Sequence, residues 1–137
     1  MTTGTPGSTA RKNALQLVHY LRFTVNYNDA NVSVGNTKQW LPAGAILIGT
    51  DVQVVAAFNA GTTNTLSVGT VGDSATNILS AQAVGTTGLT QNVAPTGAAL
   101  GPLAADKQVV ASFAQTGTAA SAGQAIVIVK YIPNNDL

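Results

Sequence analysis

The amino-acid sequence predicts an all-β chain, an antiparallel β-sandwich of jelly-roll-like form with a flexible N-terminal arm. Three observations lead there. Apolar side chains recur at every second position in several short runs, the period of a half-buried strand. The runs are divided by segments rich in Gly, Thr, Asn and Ser, the residues of turns. Helical periodicity is confined to one short segment. About seven or eight strands joined by turns, with almost no helix, pack as two antiparallel sheets.

Taken in order, residues 1–13 are mostly Thr, Gly, Pro and Ser, closing on Arg11 and Lys12. Such a segment buries too little apolar area to order itself and is expected to be an arm that a partner orders; residues 14–137 are expected to form one sandwich domain. From Leu15 the period is two. Leu17, His19, Leu21, Phe23, Val25 and Tyr27 share one face of an extended chain, and Val18, Tyr20, Arg22, Thr24 and Asn26 share the other. NYNDAN (26–31) supplies turn formers, residues 32–34 a second extended piece, and Gly35-Asn36 another turn. A Pro-Ala-Gly turn then precedes a strand in which Ile46, Leu47 and Ile48 are all expected to be buried.

The segment QVVAAFNAGTTNTLSVGT (53–70) reads as an uncharged β-hairpin turning at NAGTTN. Residues 71–105 are less regular. DSATNILSAQA (73–83) is the one plausible helix, with Asp73 or Ser74 as cap and Ile78, Leu79 and Ala83 facing inward. A long loop with one brief strand follows. Val109, Ala111 and Phe113 mark the penultimate strand, AQTGTAASAG a loose hairpin, and residues 125–131 the last strand, stopped by Pro133. The shared QVVAxF at 53–58 and 108–113 suggests two matching hairpins in opposite sheets.

Composition excludes much of the usual chemistry. Charged residues are 8% of the chain, against about a quarter in ordinary soluble proteins, and glutamate is absent. Thr, Ser, Asn, Gln and Gly must cover whatever surface is exposed, and such a neutral surface suits an assembly subunit, since the centres of interfaces are depleted in charge. A net charge of +1 gives little attraction to nucleic acid or to an anionic membrane. No secretory signal and no membrane-spanning run is expected. The absence of cysteine fits a reducing compartment or a particle assembled inside a cell.

A catalytic triad would have to be built on His19, the sole histidine, and no Gly-x-Ser-x-Gly elbow is present. His19 is expected to be a packed or interface residue, with a pH-sensitive contact as the other reading. The aspartates are widely spaced at turn-like edges, where they cap and brace backbone. One His and no Cys leave no nitrogen or sulfur metal set; an oxygen site from Asp73, Ser74 and Asn77 matches no calcium loop, and a cap is the simpler reading. GTVGD (69–73) lacks the Lys and Ser/Thr of a phosphate loop, and NVS (31–33) fits a glycosylation acceptor by chance. Arg11 and Lys12 read equally as a docking element or as a solvated tail. Trp40, beside Pro42, is expected first as a core anchor and second as an interface anchor.

The segments AFNAGTTNTLSVGT (57–70) and PLAADKQVVASFAQTGTAASAGQAIVIVKYIP (102–133), in that order, resemble the small cement or decoration proteins that cover the capsids of some tailed bacteriophages, the short-tailed ones in particular. The resemblance spans about residues 40–133. It implies a jelly-roll sandwich that associates as a homodimer or homotrimer, binds the major capsid protein on the outer surface of the virion, and bridges capsomers. It implies synthesis in the host bacterial cytoplasm, no enzymatic activity and no cofactor. The alternatives are a tail, connector or fibre subunit, or a receptor- or carbohydrate-binding module. That last class leans on exposed aromatics, and the chain offers Trp40, Tyr20, Tyr27 and Tyr131.

Overall fold

The computed structural model describes residues 17–134. Among them run eight strands: β1 (His19–Asn26), β2 (Asn36–Leu41), β3 (Ile46–Ala56), β4 (Thr63–Thr70), β5 (Ser74–Ala83), β6 (Gly88–Val93), β7 (Lys107–Thr116) and β8 (Gln124–Ile132), with a 3-10 turn over Gly97–Leu100. One sheet has the order β1-β8-β3-β6 and the other β2-β7-β4-β5. Every pairing is antiparallel. Along the chain each strand passes to the opposite sheet except at β4–β5, which gives the interleaved strand order of a jelly roll. The all-β sandwich expected from alternation is therefore the fold.

Within it, neither expected hairpin is one. β3 and β4 lie in different sheets, as do β7 and β8, so NAGTTN and AQTGTAASAG carry the chain across the sandwich. The cause is local. Phe58 is buried between the sheets and its N–H bonds to Val84 O, while the Asn64 carboxamide clasps both the N–H and the C=O of Ala60. Burying that ring turns the chain inward, where a tight two-residue hairpin would have kept it in plane.

The expected helix at 73–83 is the strand β5. Register shifts in its pairing with β4 leave Asn77, Ile78 and Leu79 consecutively buried, a grouping that mimics one side of a helix. Ala83, placed inward by the helical reading, is exposed, and Ser74 Oγ accepts the N–H of Thr76 without starting a helix. The loop expected beyond it, with one brief strand, contains β6 and the 3-10 turn. Residues 32–34 form turns, and the second strand begins at Asn36, where a turn was expected. Of the Ile46-Leu47-Ile48 group only Leu47 is buried, because β3 has the core on one face alone.

The core fills the space between the sheets. Phe23, Val25, Val52, Val54, Val127 and Val129 come from one, and Leu41, Leu66, Val68, Ile78, Val109 and Phe113 from the other. The pairings of His19 with Tyr131 and Ile46 with Ile132 set the start of β1, the end of β8 and the start of β3 at one end of the sandwich. Loop 42–45 is tied there to loop 94–106: Gly44 N–H bonds to Leu103 O, Leu103 N–H to Ala45 O, and Ala43 N–H to the Asp106 carboxylate. The opposite end is closed by loops 57–62 and 117–123, where Asn59 Oδ1 accepts the N–H groups of Ser121 and Ala122.

Candidate interaction surface

The titratable side chains are largely spent on the fold. Asp29 accepts the Asn26 N–H at 2.9 Å. Asp51 accepts the Asn92 N–H at 2.9 Å and faces Lys130 at 3.1 Å. Asp73 accepts the Thr70 hydroxyl and lies 3.1 Å from Lys107. The hydrogen bond from Lys107 chiefly, and those of Thr70 with the lysine's charge, hold this carboxyl below its ordinary pKa against an opposing desolvation. Asn77, which an oxygen-ligand site would need beside Asp73, is turned inward. Its Oδ1 accepts the buried Thr70 N–H and its Nδ2 donates to Thr70 Oγ1. Among the described residues no three His or Asp side chains converge on a possible metal position.

The sequence-derived candidates are dispersed. His19 is half-buried on the inward face of β1, its ring 5.8 Å from that of Tyr131, and its Nε2 has no hydrogen-bond partner among the described residues. Trp40 is 60% exposed, which corrects its expected place in the core. A register shift between Thr37 and Trp40 leaves both Gln39 and Trp40 outside and brings Leu41 in. Arg11 and Lys12, with the whole expected arm, lie outside the described residues.

A surface the sequence had not singled out is the outer face of the β1-β8-β3-β6 sheet near the chain ends. Val18, Tyr20 and Arg22 from β1 and its approach, with Ile128 and Lys130 from β8, line a shallow groove of about 290 Å³. Tyr20 is 64% exposed and Val18 56%, and the neighbouring Ile46, Ile48 and Ile132 are exposed as well. The alternation in β1 had already placed Val18, Tyr20 and Arg22 together on one face. What it did not supply was the register that sets them beside Ile128 of a strand more than a hundred residues away. The other sheet presents a different exterior, with Thr63, Thr65, Thr116 and Ala114 partly or fully exposed. A contiguous group of exposed apolar side chains is a candidate for a surface that a partner covers.

Comparison with solved structures places this fold. A chain of the structure described as the cyanophage Pam1 capsid asymmetric unit matches with a TM-score of 0.67 at 23% identity, covering 96% of each chain. A chain of the acid-stable capsid of Helicobacter pylori bacteriophage KHP30 matches at 0.63 and 16% identity, over 87% of this chain and 90% of that one. One from the capsid of Ralstonia phage GP4 matches at 0.59 and 17% identity, over 94% and 92%. At these identities what is shared is the fold. No family model and no curated protein matches the sequence.

Proposed function

We propose that this protein is a structural component of a phage virion that binds the outer surface of the capsid and stabilises it by bridging capsomers. The observation that carries the reading is the match, over nearly the whole of both chains, to a jelly roll from a capsid asymmetric unit. The apolar outer face and the resemblance of 57–70 and 102–133 to decoration proteins support it. The described polar groups brace turns and edges, and the proposed role has no catalytic step. The partners are the major capsid protein and further copies of this chain, as a homodimer or homotrimer, with neither nucleic acid nor membrane in contact.

The mechanism is mechanical. A shell under internal pressure fails where capsomers part, and a protein bound across that seam adds its interface free energy to the cost of separation. The test is a density map of the native particle with a count of copies per virion. Hundreds of copies spread over the shell are expected; a chain missing from the shell, or confined to the tail vertex, overturns the proposal.

A further inference from the structure

β1 is an edge strand, paired on one side only with β8. Its N–H and C=O groups point alternately toward β8 and toward open space. Tyr27, an odd-numbered residue, donates to Gly123 O beside β8, so the even-numbered residues face outward. From Arg22 onward several of those outward groups are taken by side chains. Asp29 accepts the Asn26 N–H, Lys38 Nζ donates to Thr24 O at 3.0 Å, and Gln39 Nε2 donates to Arg22 O at 3.0 Å. Side-chain cover of this sort keeps a sheet edge from pairing with another chain. It stops at Arg22. Among the described residues nothing bonds the outward groups of Val18 and Tyr20, and it is there that the exposed apolar side chains begin.

Charge narrows the occupant. Of the described basic residues, Lys38, Lys107 and Lys130 each have an aspartate within 4 Å, and Arg22 has none. An added strand would run alongside Val18, Tyr20 and Arg22 and set alternate side chains beside theirs on the outer face. A second copy of this chain brings few complements among the described residues, since Asp29, Asp51 and Asp73 each face a lysine and Asp106 accepts the Ala43 N–H. Residues 1–16 contain no acidic side chain at all.

We infer that the open half of β1 is a strand-acceptor site, and that its occupant is an extended segment of the capsid protein with alternating apolar side chains and a carboxylate that meets Arg22. Main-chain bonds to an edge supply affinity in such pairing and alternate side chains supply selectivity. The inference rests on the capsid-binding reading and specifies its contact.

The experiment uses the full chain and particles purified from a phage that lacks it. Arg22→Glu and Tyr20→Pro, the latter removing an outward N–H at an edge that tolerates proline, are each expected to weaken binding about tenfold or more. Ser112→Glu on the other sheet is expected to leave it unchanged. Amide exchange at Tyr20 and Arg22 is expected to slow when particles are added, which reports strand pairing even if a variant folds poorly. Wild-type binding with no loss in either variant and no protection of these amides overturns the inference and leaves the capsid reading standing. Failure of the wild type to bind particles overturns both. Protection that appears on raising the protein concentration alone assigns the edge to a second copy and overturns the choice of partner.

Discussion

The rings of Phe58 and Phe113 meet with centroids 4.6 Å apart and planes tilted by 47°. These are the last residues of the two QVVAxF segments. The segments are not matching hairpins: 53–58 runs along β3 of one sheet and past its end, 108–113 along β7 of the other, and their aromatic ends close the core between them. Gly123 lies against the Phe58 ring, where an added Cβ would come within 2.5 Å at a φ of +151°.

Replacing Phe58 or Phe113 by Ala should therefore cost about 3–5 kcal/mol each, read as a shift of the denaturant midpoint at constant slope. The double variant should cost less than the sum, because part of each loss is the shared ring contact, worth about 0.5–1.5 kcal/mol. Gly123→Ala should destabilise as well, though it removes no atom. A neutral Gly123→Ala would show that the ring has room to move aside.

Asn77 and Thr70 make a buried pair, the carboxamide satisfying both the N–H and the hydroxyl of Thr70. Asn77→Ala leaves a buried N–H without its partner, which costs about 1–3 kcal/mol. Thr70→Ser keeps the hydroxyl and should lose much less. Thermal melts of the two variants, compared at equal concentration, check the order.

The hydrogen bond from Lys107 lowers the Asp73 pKa below its ordinary value of 3.8. A carboxyl whose folded pKa is depressed contributes stability that is complete above its ordinary value and is lost as pH falls through the folded one. The stability difference between wild type and Asp73→Asn should then be flat near neutrality and shrink in acid below that value. The pair is at the surface, so added salt should reduce the difference too. A difference that grows in acid would contradict the assignment.

How far the fold was legible in the sequence follows from where alternation holds. The two faces of β1 were read correctly because no register shift breaks its alternation: Phe23 and Val25 fall together on the buried side, Tyr20 and Arg22 on the exposed one. β5 was misread as a helix because register shifts put Asn77, Ile78 and Leu79 on the inside together. The segments at 57–62 and 117–123 were misread as hairpins because turn residues announce a change of direction without saying into which sheet. The groove was half legible: Val18, Tyr20 and Arg22 were grouped on one face, but Ile128 joins them only through long-range register.

If a partner orders residues 1–13, their contribution is measurable. Deleting residues 2–12 removes Arg11, Lys12 and the residues before them while keeping the described domain whole. Affinity for undecorated capsids should fall while the melting temperature of the free protein stays put. Unchanged affinity would dispose of any role for the arm in binding.

Trp40 gives the sharpest contrast between the sequence reading and the structure. A tryptophan in the core would cost about 3–5 kcal/mol on truncation to Ala, whereas an exposed one in β2 should fall within about 0.5 kcal/mol of wild type. As the sole tryptophan it also reports its own surroundings. The free protein should emit at the long wavelength of a solvated indole and be quenched readily by iodide. The contact between Gln39 and Arg22 O sets this part of β2 alongside the open half of β1, so a partner strand that adds to β1 should shield the neighbouring indole. Adding capsids should then shift the emission to shorter wavelength and reduce quenching, and Arg22→Glu should abolish the change. Emission that is already blue-shifted in the free protein would return Trp40 to the core and count against the position of β2.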